Sequence, residues 1–366
     1  MAARLSRWTV TLLVVPALVG CSIGDVRRPP PPVATTPPVG VVTPVPGPSP
    51  IPFAEVRRTQ VAVPERYDRP YVEFVDGQRG YALFAACDGK LAGSDCPALL
   101  WATVDGGRSW RKLRHPRPVA ENQQLYAAPG LLLLFSEPHG YHLSTDGGAT
   151  FTSSGTSPPP QWRAAQGRFQ YAEETGQVAE WDGRRLRPLA VQPEVPGLNS
   201  VASHRDLVVA AGLRDGRPYA AISSDGGRNW RRQAMSVPDG EVGVLRAVVD
   251  SSDTAWLIGE RPDRTTFPAL WRSPGLDWEP VRADGHPERV GSVAAIGLNM
   301  LAVNGPDGVG VVTGNRYHRM GWPVTPEHHL TVLADGTLCA RGPAGVVLAA
   351  ALPSERRWVN VVLERR

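Results

Sequence analysis

From residue 53 to the last residue, short apolar runs alternate with polar, turn-forming segments. The stretch from 201 to 235 shows the pattern, with runs at Val201–Ser203, Leu207–Gly212, Tyr219–Ser223 and Trp230–Met235. Runs of this length, bounded by Gly, Asp and Arg, predict strands. Residues 53–63, FAEVRRTQVAV, predict one further strand ahead of the first regular unit.

Three of the turns share one pattern: Thr103-Val104-Asp105-Gly106-Gly107-Arg108-Ser109-Trp110, Ser144-Thr145-Asp146-Gly147-Gly148-Ala149-Thr150-Phe151 and Ser223-Ser224-Asp225-Gly226-Gly227-Arg228-Asn229-Trp230. Each lies between two strand-like runs, so the Asp-Gly-Gly is placed at a hairpin tip. Glycine supplies backbone with φ > 0, the aspartate accepts local N–H bonds and the hydroxyl closes the turn from the other side. The aromatic residue is then free to fold back onto a neighbour. Asp105, Asp146 and Asp225 stand 41 and then 79 residues apart, and 79 is close to two strides of about 40. Glu180-Trp181-Asp182-Gly183-Arg184 fills the gap as a degenerate copy. Arg272–Trp278, Thr313–Tyr317 and Pro353–Trp358 continue the stride as eroded hairpins. Four strands in each unit of about 40 residues predict an all-β chain: a single β-propeller of four-stranded blades rather than a sandwich. The count favours seven blades, with six or eight as alternatives because units three and six are short. The strand at 53–63 is placed against the last blade, where it closes the ring.

The repeated turn resembles the Asp box, or bacterial neuraminidase repeat, of sialidase-like β-propellers. That resemblance implies peripheral, structural hairpins between the third and fourth strands of a blade. It makes Asp105, Gly107, Trp110, Asp146, Gly148, Phe151, Asp225, Gly227 and Trp230 turn-formers, in preference to calcium ligands or catalysts. Sialidase activity would need three arginines gripping a carboxylate, an Asp acid/base and a Tyr–Glu nucleophile pair. The first arginine would stand in an Arg-Ile-Pro-type motif. Here Arg69-Pro70 and Arg117-Pro118 lack the isoleucine, and with 37 arginines composition supports no triad. More distantly, the chain resembles the lumenal photosystem II assembly and stability factor and sortilin-type receptors, whose propellers bind proteins or peptides. No functional residue transfers from them.

The N-terminus has a different character. In MAARLSRWTVTLLVVPALVGC, Arg4 and Arg7 precede an apolar stretch from Trp8 to Gly20 and then Cys21. This predicts a secretory signal at 1–20, too short for a permanent membrane span. Leu18-Val19-Gly20-Cys21 resembles the bacterial lipobox, which implies lipidation of Cys21. Residues 29–52 hold eleven prolines and no charge, so 21–52 is read as a lipidated N-terminus with an extended tether, the proline-rich part reaching roughly 70 Å.

Composition narrows the function classes. The chain has 38 Gly and 37 Pro, which argues against a helical bundle. Its net charge is +4, falling to +2 once Arg4 and Arg7 are removed (4 − 2), so no nucleic-acid partner is expected. In an oxidising compartment Cys87 and Cys96, flanking a polar loop, predict a disulfide, while Cys339 falls in a predicted strand and reads as a buried thiol. The pairs His139/His142 and His328/His329 diverge on strands, so no metal or cofactor is expected. No phosphate loop, nucleophile elbow or zinc helix occurs. Of eleven tryptophans, Trp162, Trp256, Trp271 and Trp322 fall outside the repeated turns and keep a sugar-binding reading open. The expectation is therefore an extracytoplasmic lipoprotein on the outer leaflet of the cytoplasmic membrane. Its propeller, acting without catalysis, would bind a protein through loops around the channel. Cell-envelope glycan binding and, behind it, glycoside hydrolysis are the alternatives.

Overall fold

The computed structural model describes residues 48–86, 96–117, 123–136, 139–237, 240–352 and 354–366. They form a seven-bladed β-propeller. The first strand, β1 (Glu55–Val61), stands apart from the regular blades. Blade 1 is β2 (Tyr71–Phe74), β3 (Gly80–Ala85), β4 (Ala98–Thr103) and β5 (Arg111–Leu113); blade 2 is β6 (Gln123–Ala128), β7 (Leu131–Ser136), β8 (Gly140–Ser144) and β9 (Thr152–Ser154). Blade 3 follows a short helix, α1 (Pro160–Ala165), and has β10 (Phe169–Ala172), β11 (Gln177–Trp181) and β12 (Leu186–Pro188). Blade 4 is β13 (Leu198–His204), β14 (Leu207–Arg214), β15 (Arg217–Ser223) and β16 (Arg231–Ala234); blade 5 is β17 (Val244–Val249), β18 (Ala255–Glu260), β19 (Ala269–Ser273) and β20 (Glu279–Val281). Blade 6 is β21 (Ser292–Gly297), β22 (Met300–Gly305), β23 (Gly308–Thr313) and β24 (Arg316–Arg319); blade 7 is β25 (His329–Val332), β26 (Leu338–Gly342), β27 (Gly345–Ala349) and β28 (Trp358–Arg365). Within a blade, neighbouring strands are antiparallel and in chain order. All turns between strands one and two and between three and four therefore gather at one end of the ring, the turn end. The remaining connections gather at the other, the loop end.

Two departures from the regular plan have local causes. β1 lies parallel to β28, from Glu55 opposite Val359 to Val61 opposite Arg365, and makes blade 7 five-stranded. Blade 3, expected to have four strands, has three. Leu113, the last residue of the fourth strand of blade 1, lies where a Cβ on Gly148 would be, and Leu189, just past β12, lies in the same way against Gly227. β12 is thus the fourth strand, and the missing one is the first. The segment before β10 contains Pro158-Pro159-Pro160, which has no backbone donors for a ladder, and Pro160 instead opens α1.

The core is not one mass but seven seams, each between successive blades. Clusters join blades 7 and 1, 1 and 2, 3 and 4, 4 and 5, 5 and 6, and 6 and 7; between blades 2 and 3 the α1 side chain Trp162 packs on blade 2. In six seams an aromatic residue from the turn before the later blade's outer strand, or from that strand's start, packs into the interface with the preceding blade. These are Trp110, Phe151, Trp230, Trp278, Tyr317 and Trp358. Trp278 is 4% exposed. Replacing it with alanine should cost about 3–5 kcal/mol, read as a lowered midpoint in urea denaturation with an unchanged slope.

Candidate functional site

The repeated turns can be judged first, because their bonding is complete. In all three the hydroxyl of Thr103, Ser144 or Ser223 donates to the aspartate Oδ1 at 2.8 Å and accepts the N–H of Gly107, Gly148 or Gly227 at 2.8–2.9 Å. The same Oδ1 accepts the N–H of Ser109, Thr150 or Asn229 at 3.0 Å, and Oδ2 accepts that residue's side chain at 2.6–2.7 Å. Donors from Asn229 and Ser223 hold the Asp225 carboxyl down at about 2; at Asp105 partial burial acts upward, but Ser109 and Thr103 outweigh it, again to about 2. Every carboxylate oxygen faces protein donors, an arrangement that holds a turn and repels a cation. Gly107 has φ +86° and an added Cβ would lie 2.4 Å from Val361, so the position is closed to side chains. The turns rest on their own blades: Gly106 N–H donates to Gln78 O at 2.7 Å and Gly226 N–H to Asp206 O at 2.9 Å.

The remaining expected positions fall as follows. Cys21 and Cys87 lie outside the described residues. The expected Cys87–Cys96 disulfide is not seen: Cys96, just before β4, is a free thiol and 3% exposed. Cys339 is also free, and burial pushes its thiol up to about 11. Among the described residues no group of three or more His, Cys, Asp or Glu side chains is placed to hold a metal. Trp256, Trp271 and Trp322 are buried, so of the four unassigned tryptophans only Trp162 remains half-exposed.

Polar chemistry instead converges at the loop end of the channel, where first strands begin and second strands finish. Tyr71 and Glu73 on β2 meet Arg341 on β26 across the seam between blades 1 and 7. The Tyr71 hydroxyl donates to Glu73 Oε2 at 2.8 Å, Arg341 Nη1 donates to the Tyr71 oxygen at 2.9 Å, and Arg341 Nη2 forms an ion pair with Glu73. The guanidinium also sits 5.0 Å from the centroid of the Tyr71 ring. Side-chain exposure is only 15% for both Glu73 and Arg341. Burial raises the Glu73 carboxyl above its ordinary range, against the pull of Arg341, and raises the Tyr71 phenol as well.

His329 opens β25 opposite Arg341 in register. Desolvation, then the nearby Arg341 and Arg246, lower its pKa. Arg246 on β17 lies 3.7 Å from Glu260 and donates to Val293 O at 3.2 Å. On the side of blade 2 the half-exposed rings of Tyr126 and Trp162 stand 5.1 Å apart, and those of Phe135 and Tyr141 4.5 Å. None of this group was singled out from sequence except Trp162 and His329. For Tyr71, His329, Arg341 and Phe135 the signal that was available is a position at the start of a first strand or near the end of a second; Tyr141 opens a third strand and Trp162 lies on α1.

No family model matches the chain, and no curated protein does. Among solved structures it is similar to YCF48 bound to D1 peptide, with 13% identity and a TM-score of 0.45, over 81% of this chain and 96% of that one. It is similar to apo AztD from Citrobacter koseri, with 9% identity and a TM-score of 0.41, over 80% and 86% of the two chains. A third similarity is to the GH74 enzyme of Niastella koreensis, with 14% identity and a TM-score of 0.32, over 81% of this chain and 47% of that one.

Near the loop end His115 is half-buried between blades 1 and 2, its Nε2 3.1 Å from Gln123 Oε1 and its Nδ1 accepting the Arg117 N–H at 3.1 Å. Burial lowers its pKa from 6.5 to about 4. A group protonated more readily in the unfolded chain withdraws stability as pH falls from about 6.5 to about 4. The His115→Gln variant should therefore lose less melting temperature over that window than the wild type in thermal scans. The turn aspartates act lower: the stability they contribute is present above about 3.8 and is lost as pH falls towards 2.

Proposed function

We propose that the protein is an extracytoplasmic, lipid-anchored binding module, without catalytic activity, that captures a protein segment at the loop end of its channel. The observation that carries the reading is the character of that mouth: half-exposed Tyr126, Phe135, Tyr141 and Trp162 beside Arg246, Arg341 and His329. Aromatic residues and arginine are the side chains from which protein interfaces draw most of their affinity. Absence of catalysis is supported by the closed bonding of Tyr71, Glu73 and Arg341, which occupy one another rather than pointing at an open reaction centre. A fluorogenic sialoside or neutral glycoside cleaved by the wild type and not by Glu73→Gln would overturn it.

Crosslinking in the native membrane should trap a protein partner. Trp162→Ala and Arg246→Ala, in the folded protein, should each weaken its capture about tenfold, while Arg228→Ala at the turn end should leave it unchanged. Equal capture by all variants would reject the loop end as the binding face. The anchor is proposed from Cys21 and the apolar stretch before it. Cys21→Ala should abolish incorporation of labelled palmitate and release the protein from the membrane fraction.

β1 adds a directional detail. It runs parallel to an outer strand that travels from the turn end to the loop end, so β1 itself begins at the turn end. The residues just before β1 bond to the outer edges of blades 6 and 7: Ile51 N–H donates to Gly321 O at 2.6 Å and Ala54 N–H to Trp358 O at 2.8 Å.

A further inference from the structure

A second site lies at the turn end, between blades 1 and 2. Four turns meet there and leave a cavity of about 190 Å³. Its walls include Thr103 from one repeated turn and Thr145 and Gly147 from the next, and three side chains give it a chemical character: Arg79, Tyr81 and Arg111. Tyr81 is 9% exposed, lines the cavity, and its hydroxyl has no hydrogen-bond partner among the described residues. The ring is packed away while the hydroxyl opens onto the cavity, where its donor is free for a ligand. Burial raises its pKa although Arg79 and Arg111 act the other way, so it keeps its proton and can donate.

The charge around this hydroxyl is positive and only partly balanced. Arg79 is held by Asp76, with Nε and Nη2 both engaged. Arg111 donates from Nη2 to Gly147 O at 3.2 Å and pairs with no carboxylate among the described residues. Asp146 is nearby, but its oxygens are filled by Ser144, Ala149 and Thr150. The corresponding cavity between blades 3 and 4 differs in this respect. Its Arg168 is neutralised by Glu180 at 2.7 Å and Asp206 at 3.1 Å, and both carboxylates line that cavity.

We propose that the cavity between blades 1 and 2 binds a small oxyanion, with the Tyr81 hydroxyl and the Arg111 guanidinium as donors and Arg79 adding positive charge. An arginine fork and a hydroxyl suit the oxygens of a phosphoryl group. The same chemistry is offered by free phosphate and by an anionic lipid headgroup.

The test titrates inorganic phosphate into the folded protein by calorimetry, with the phosphate-induced rise in melting temperature as a second readout. The wild type should bind. Tyr81→Phe, which keeps the ring and its packing, should weaken binding about tenfold, and Arg111→Met at least tenfold. Arg111→Lys should retain part of it, and Arg168→Met should behave as the wild type. Absence of binding at tens of millimolar phosphate would overturn the proposal, as would equal binding by Tyr81→Phe and Arg111→Met. Flotation with phosphatidylglycerol and phosphatidylcholine vesicles, using protein without residues 1–47, separates the sources. Retention on the anionic vesicles that is lost in Arg111→Met assigns a headgroup, and phosphate binding without retention assigns a free anion. Because the site lies at the end opposite the channel mouth, its failure would leave the protein-binding reading intact.

Discussion

The aromatic side chain carried at the outer edge of each blade, wedged against the blade before it, is the interaction on which the rest of this ring depends. A four-stranded sheet has two faces to cover and cannot cover either alone. Each blade solves this with its neighbours, so a ring must be complete before any blade is fully buried. Trp110, Phe151, Trp230, Trp278, Tyr317 and Trp358 supply large apolar area at six of the seven seams. The glycines of the three fully repeated turns let the preceding blade approach. At Gly107, Gly148 and Gly227 the space a Cβ would need is filled by Val361, Leu113 and Leu189. Between blades 2 and 3, Trp162 of α1 packs on blade 2 instead.

One seam is not joined by a short connection between consecutive strands, and it carries the densest polar bonding. At the outer edge β1 spans the junction of blades 7 and 1. It is paired with β28, and Arg57 and Thr59 bond to the carbonyls of Gly106 and Gly107. At the turn end Asp335 accepts the Gly77 N–H at 2.9 Å, and Ala334 N–H donates to Val75 O at 3.2 Å. At the channel the junction is closed by Arg341, Glu73 and Tyr71. A buried ion pair of this kind adds little net stability, because desolvation offsets most of its attraction, but it is costly to break from one side. Its effect is to define how blade 1 sits against blade 7, and the same three side chains set the electrostatics of the channel mouth.

The two ends of the ring consequently differ in kind. The turn end is built from short hairpins whose polar groups are satisfied within the turn. The cavity floored by Tyr81 is the exception. The loop end has longer connections, rings that are half-exposed, and charged groups that pair across blades. Binding residues gather on loops held by a rigid scaffold for general reasons: loops can vary without disturbing the packing beneath them.

Much of this could be read from sequence because the repeated turn is closed by bonds within eight residues. Ser223, Asp225, Gly227 and Asn229 specify their hairpin locally, and Trp230 announces the wedge. The stride of about 40 residues then implies the ring. Unit three read from sequence only as short; Pro158-Pro159-Pro160 supplies the reason once the structure is seen, and the position of Leu189 under Gly227 showed which strand was replaced. Spacing alone suggested a disulfide at Cys96, whereas its thiol is free and buried. Glu73 and Arg341 are 268 residues apart, and Tyr81 meets Arg111 across blade 1. Nothing in the chain near any of them signals the partner. Sequence by itself determined the strands, the turns and the repeat, since those are fixed by bonds and φ preferences within a few residues. Only the tertiary structure decided which polar groups face the channel and which cavity is left unpaired, because closing the ring brings together side chains from different blades.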